Sequence, residues 1–158
     1  MKKFKLNILS GFVCVSIFSF PLAVLGGYAH SDIVLVNNAD FLDFDCKMLE
    51  GNPKKADLKN IRSGSTRTII ADHSNKLCPS TQGKFKCSAT IYGMGDTKDT
   101  TYSFDGKYKF EYTGDWCTTS TYDFSCSVSE ISSGIAVNNK AEKVTGQGRG
   151  KCTITVTN

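Results

Sequence analysis

Apolar and polar residues alternate with a period of two along much of the chain, and no long segment repeats with the period of a helix. The C-terminal segment shows this clearly, because Cys152, Ile154 and Val156 alternate with threonines. Alternation, or a short apolar run ending at a turn residue, predicts further strands over 33–36, 41–48, 66–71, 84–92 and 122–128. Helix is expected only as a turn or two, within 53–61 or 139–144. We therefore expect an all-β domain, a small antiparallel β-sandwich of the immunoglobulin-like or a related type.

Residues 1–29 have the three-part pattern of an export signal. A basic start over 2–5 precedes an uncharged apolar run over 9–25, and small residues stand before a cleavage site at Ala29. The apolar run has about 17 residues, which is near the lower limit for a membrane span. We expect cleavage there, or alternatively just before Asp32. The mature protein, taken as residues 30–158, is then a single secreted or periplasmic domain without a membrane or lipid anchor.

Cleavage would change the charge of the protein. The chain has 19 Lys and Arg against 15 Asp and Glu, a net charge of +4, and removing the three lysines of the export signal lowers this to +1. Only two short basic clusters remain, Lys54-Lys55 and Arg149-Gly150-Lys151. A nucleic-acid partner requires a dense basic face, so we expect none. We also expect no cofactor, and a monomer.

The cysteines predict a disulfide framework. One of the 7 cysteines, Cys14, lies in the export signal, and an even set in an exported domain is typical of disulfide pairing. Four lie on the apolar faces of predicted strands: Cys46, Cys87, Cys126 and Cys152. Two lie in predicted loops: Cys78 and Cys117. Pairing core with core predicts Cys46–Cys87 and Cys126–Cys152, which leaves Cys78–Cys117. The loop cysteines could instead pair locally, as Cys78–Cys87 or Cys117–Cys126.

An aromatic stripe is the first candidate binding surface. Asp105-Gly106 predicts a hairpin turn, and a three-residue loop with Gly106 in the left-handed conformation would bring the aromatics to one face. The tyrosines of this stripe are the candidate binding residues: Tyr102, Tyr108 and Tyr112. Phe104 and Phe110 belong to the same stripe. The competing interpretation is a core face, because large aromatics dominate core burial, with the tyrosine hydroxyls near an edge.

Two histidines suggest a metal site. If cleavage follows Ala29, His30 becomes the N-terminal residue, and its amine and ring could bind copper with a third nitrogen from His73. This set resembles the histidine brace of secreted copper proteins. The alternative is a frayed terminus and a loop histidine.

The sequence shows none of the catalytic motifs that we considered. No Gly-x-Ser-x-Gly or His-Glu-x-x-His segment occurs. Arg67, His73 and Glu111 are types found in small nucleases, but no spacing unites them. With its cysteines oxidised, the protein has no thiol nucleophile. We therefore do not expect an enzyme.

Five short segments between residues 33 and 92 occur in the same order as in a known protein family. They are Ile33-Val34-Leu35-Val36-Asn37-Asn38, Phe44-Asp45-Cys46-Lys47, Asp57-Leu58, Ile61-Arg62-Ser63-Gly64-Ser65 and Lys84-Phe85-Lys86-Cys87-Ser88. On these segments the chain resembles the plant self-incompatibility secreted protein family. The resemblance implies a small disulfide-bonded β-sandwich that acts as an extracellular ligand for a protein partner. It also implies the pairing Cys46–Cys87.

The sequence as a whole indicates an exported, non-enzymatic binding protein. It would act as a virulence, recognition or inhibitor factor on a protein or glycan partner. The alternative is a small secreted enzyme or copper-binding protein that uses His30 with His73.

Overall fold

The computed structural model describes residues 28–74, 76, 78–114, 117, 121–144 and 147–158. Residues 1–27, which make up most of the expected export signal, lie outside the described residues. The first strand begins at Ala29, whose side chain is buried. Cleavage after Ala29 would remove the first residue of this strand, and cleavage before Asp32 would remove its first three.

The described residues form nine strands and no helix. These are β1 (Ala29–Asn37), β2 (Asp45–Glu50), β3 (Lys55–Ala56), β4 (Ser65–Ser74), β5 (Thr81–Ile91), β6 (Thr100–Tyr112), β7 (Tyr122–Ser129), β8 (Ala136–Val144) and β9 (Arg149–Thr157). One sheet has the order β3-β4-β1-β9-β8, and the other has the order β2-β5-β6-β7. All neighbouring strands are antiparallel except β1 and β9, which are parallel. The all-β sandwich expected from the alternation is confirmed.

The two segments where helix was expected are not helical. Residues 139–144 lie in β8, which pairs with β9 over its whole length. This strand forms the edge of its sheet, and charged residues are common on edge strands because they oppose pairing with another chain. Residues 53–61 contain the short strand β3 and a bridge between Phe44 and Ile61.

The core lies between the inner faces of the two sheets. Its largest fully buried side chains include Phe44, Phe85, Phe104 and Phe110, together with isoleucines and leucine from β1, β4 and β9. The rings of Phe44 and Phe104 meet edge to face, with centroids 5.9 Å apart. Burial of so many large apolar groups provides the main stabilisation of the domain.

Three disulfides hold the sandwich, and they confirm the core-with-core pairing. Cys46–Cys87 joins residues that lie directly opposite each other on β2 and β5. Cys126–Cys152 joins β7 to β9 and therefore links the two sheets. Cys78–Cys117 joins the segment before β5 to the segment after β6. The local alternatives for the loop cysteines do not occur.

The prediction of a hairpin turn at Asp105-Gly106 was wrong. Both residues lie inside β6, where Gly106 pairs with Phe85 on β5 and with Val128 on β7. A Cβ atom at Gly106 would lie 2.3 Å from the Phe85 ring. The glycine is therefore needed for the close approach of a buried ring to the strand, and it has no left-handed backbone. The turn between β5 and β6 lies instead at residues 92–99.

Candidate functional site

The aromatic stripe faces the core. Because β6 is unbroken, its even-numbered side chains share the inner face, and Tyr108 is only 3% exposed. Tyr102 and Tyr112 are half-buried, and both pack against the core. The stripe is therefore a core face, as in the competing interpretation given above. Tyr108 presents no surface to a partner.

The hydroxyl groups at one end of the stripe bind the protein's own backbone. The Tyr112 hydroxyl donates to the carbonyl oxygen of Tyr28 at 2.9 Å. The Tyr122 hydroxyl lies 2.9 Å from the carbonyl oxygens of both Val144 and Arg149. The rings of Tyr112 and Tyr122 also contact each other and Phe110. This cluster closes one end of the sandwich and has a structural role.

Tyr108 forms a buried polar contact in the core. Its hydroxyl donates to Oδ2 of Asp72 at 3.1 Å, and Asp72 is 8% exposed. Burial raises the pKa of Tyr108 well above its usual range, and the negative charge of Asp72 raises it further. The phenol therefore acts as a hydrogen-bond donor that satisfies a buried carboxylate.

A pH titration should reveal this contact. The folded protein keeps the Tyr108 proton at pH values where the unfolded chain, with a tyrosine pKa of about 10, has lost it. The contribution of this group to the free energy of unfolding is therefore fully present below about pH 10 and is lost as the pH rises through the folded-state pKa. Absorbance of phenolate should show that the last tyrosine to ionise disappears in Tyr108→Phe. Ionisation of every tyrosine in one step near pH 10, with the fold intact, would contradict the contact.

The structure brings the two histidines together. His30 on β1 pairs across the strands with His73 on β4, and their ring centroids are 5.9 Å apart. Nε2 of His30 lies 3.0 Å from Oδ1 of Asp32, whose other carboxylate oxygen accepts hydrogen bonds from Arg149. The backbone nitrogen of His30, which a copper brace would need as a free amine, donates to Gly148. In the part of the chain that the structure describes, no cluster of three or more His, Cys, Asp or Glu residues could hold a metal ion.

Two of the residue types found in small nucleases also lie apart. Arg67 donates to the carbonyl oxygen of Lys59 and pairs with Asp57 at 3.5 Å, at the edge next to β3. Glu111 lies on β6 in the other sheet and pairs with Lys109. The structure thus offers no arrangement in which these groups act on one substrate.

The most exposed large apolar side chains lie on loops. Among the described residues, Phe41 is 93% exposed, Met94 is 89% exposed and Tyr92 is 77% exposed. Phe41 belongs to the β1–β2 connection, whereas Tyr92 and Met94 lie together in the β5–β6 connection. We call residues 91–99 the hairpin tip.

The hairpin tip is ordered by its own hydrogen bonds. The amide of Gly93 donates to Oδ1 of Asp99 at 3.0 Å, and the hydroxyl of Thr97 donates to the carbonyl oxygen of Met94 at 2.8 Å. These bonds close the turn from within. Tyr92 and Met94 are therefore presented to solvent by a turn of defined shape.

The hairpin that carries the tip extends beyond the neighbouring strand. Strand β7 ends opposite Asp105, while β5 and β6 remain paired as far as Ile91 and Thr100. The segment after β7 supports the base, since the amide of Ser132 donates to the carbonyl oxygen of Ser103. The tip is consequently accessible to a partner without rearrangement of the sandwich.

Sequence reasoning missed the hairpin tip because it placed the turn at Asp105-Gly106. A local pattern was available, since Gly93-Met94-Gly95-Asp96 is a glycine-rich segment between two alternating strands. That pattern marks a turn. It does not show that neighbouring side chains are exposed.

The fold and its bridges define a disulfide-bonded all-β sandwich domain, a class typical of extracellular and periplasmic proteins. Comparison with protein-family models, with curated proteins and with solved structures found no match. No helix among the described residues is long and apolar enough to cross a membrane.

Proposed function

We propose that this protein is an exported, non-enzymatic binding protein that contacts a protein partner through the hairpin tip. The observation that carries the proposal is the exposure of Tyr92 and Met94, at 77% and 89%, on a turn held by internal hydrogen bonds. The expected export signal and the three disulfides support a location outside the cytoplasm.

The chemistry of the hairpin tip favours a protein as the partner. Tyrosine and methionine are enriched in the buried centres of protein interfaces. An ordered turn loses little conformational entropy on binding, which preserves affinity. The tip also carries Asp96 and Asp99 against Lys98, and this acidic balance opposes binding to an anionic membrane surface.

The class of partner follows from the same features. A small stable domain that presents two apolar anchors is suited to recognising or inhibiting another extracellular protein. The resemblance to the self-incompatibility secreted proteins, which implies an extracellular ligand for a protein, supports this role. The alternative of a copper protein or enzyme at His30 and His73 has less support, because the two rings lack a third ligand among the described residues.

The double variant Tyr92→Ala/Met94→Ala tests the proposal. We expect the fold and stability to be unchanged, because both side chains are exposed, and affinity for the partner to fall by about tenfold or more. Oxidised mature protein would be immobilised and exposed to the surrounding medium or host extract, and the proteins retained by each variant would be compared.

Leu49→Ala provides the matched control. Leu49 is also an exposed apolar side chain, at 47%, but it lies on β2, away from the hairpin tip. A specific partner should be retained by the wild type and by this control and lost by the double variant. Equal retention by all three proteins would show that binding does not use the tip.

A further inference from the structure

The outer face of the four-stranded sheet has a cavity that the proposed function does not use. Its volume is about 410 Å³, within the usual range of ligand sites. Two rows of side chains line it across β5, β6 and β7, and the register places the members of each row side by side. The first row is Gln82, Lys109 and Ser125. The second row is Lys84, Lys107 and Ser127.

The charge of this cavity is positive in a domain of almost balanced charge. Three lysines and one glutamate, Glu50, line it. Lys84 and Lys107 lie directly opposite each other on adjacent strands, an arrangement in which like charges destabilise a sheet. Lys84 pairs with Glu50 at 2.6 Å and Lys109 pairs with Glu111 at 2.6 Å. Lys107 has no carboxylate within 4.0 Å among the described residues. Lys107 is thus the lysine of this cavity whose charge a bound anion would balance.

The neutral groups of the cavity suit hydroxyl-rich ligands. Ser125, Ser127 and Gln82 offer donors and acceptors beside the lysines. The aromatic side chain in the lining, Tyr108, is buried and leaves no ring face on which a nucleic-acid base could stack. The volume also exceeds the needs of a single inorganic anion.

We propose that this cavity binds an acidic oligosaccharide. Its carboxylate or sulfate groups contact Lys84, Lys107 and Lys109, and its hydroxyl groups contact Ser125, Ser127 and Gln82. The site lies on the face of the sheet and is separate from the hairpin tip, so each can be tested without the other.

Calorimetric titration with a heparin-derived hexasaccharide and with a polyuronate hexasaccharide tests the proposal. We expect saturable binding of at least one of them and no binding of a neutral hexasaccharide. Lys107→Gln should weaken binding by about tenfold, because a charged contact is lost. Ser125→Ala should weaken it by a smaller factor without changing the charge.

Lys151→Gln is the control for net charge. Lys151 lies on β9 in the other sheet, and its replacement removes the same charge as Lys107→Gln. The control should leave affinity within about twofold of the wild type, since its charge lies away from the cavity. Equal weakening by both variants would reduce the effect to general charge attraction and overturn the proposal.

Three further results would overturn it. The first is that neither acidic hexasaccharide binds in a saturable way. Inorganic sulfate could displace the hexasaccharide at comparable concentration, which would indicate a site for a simple anion. A single-stranded oligonucleotide of similar charge could compete with equal affinity, which would indicate a phosphate-polymer site.

Discussion

Replacing Cys126 and Cys152 together by alanine is expected to lower the free energy of unfolding by about 2–5 kcal/mol. This disulfide joins β7 to β9 and is the described bridge that connects the two sheets through strand residues. Without it the unfolded chain gains conformational freedom across a sequence separation of 26 residues. Cys152 is also fully buried, so its truncation leaves a gap in the core.

The loss would be a large part of the stability of such a domain, which is typically about 5–15 kcal/mol. Urea denaturation of the oxidised proteins, followed by circular dichroism, gives the difference directly. Ser129→Ala/Thr153→Ala is the matched control on the same two strands, because these side chains lie on solvent-accessible positions. Its cost should stay below about 1 kcal/mol. A double cysteine variant as stable as this control would contradict the structural role of the bridge.

Gly106→Asn is expected to lower the free energy of unfolding by about 3 kcal/mol. In the structure any side chain at Gly106 enters the space of the Phe85 ring, since even a Cβ atom would lie 2.3 Å from it. Phe85 is 1% exposed, so neither group can move into solvent. The asparagine amide would also be buried without a prepared hydrogen-bond partner.

The same substitution distinguishes a strand from a turn at Gly106. Asparagine tolerates the left-handed conformation, so a hairpin turn at Asp105-Gly106 would accept it with little loss. Asp105→Asn is the adjacent control, because this half-buried side chain pairs with Lys86 on the outer face at 3.4 Å and asparagine keeps its size while removing only the charge. Chemical denaturation of both variants measures the loss in the free energy of unfolding. Similar small losses for the two variants would support a turn at this position.

Much of the fold could be predicted because alternation reports which face of a strand a residue occupies. It placed Cys46, Cys87, Cys126 and Cys152 on inner faces, and this is why the core pairing was correct. Alternation does not report which strands become neighbours. The parallel pairing of β1 with β9 was therefore not predicted.

The errors arose where tertiary packing outweighed a local preference. Asp-Gly is a strong turn former, but the space needed by Phe85 explains Gly106 equally well, and only the three-dimensional structure distinguishes the two. The hairpin tip depends on where β7 ends relative to β6. The lysine-lined cavity depends on the register of three strands. None of these relations is visible in a single strand.

The two surfaces have different chemistry and lie on different parts of the scaffold. The hairpin tip offers apolar anchors on a loop, whereas the cavity offers lysines on rigid strands. Loops positioned by a stable sandwich commonly carry recognition, and the disulfides supply that stability here. Variants at the two surfaces should consequently affect two separate interactions.

The binding role of the hairpin tip is tested most directly by the dissociation constant of the captured partner, measured for the wild type, Tyr92→Ala/Met94→Ala and Leu49→Ala. We predict that the double variant binds at least about tenfold more weakly, a loss of about 1.4 kcal/mol, while Leu49→Ala matches the wild type. Circular dichroism of all three proteins should be the same. A double variant that keeps wild-type affinity would contradict the assignment of the tip as the binding surface.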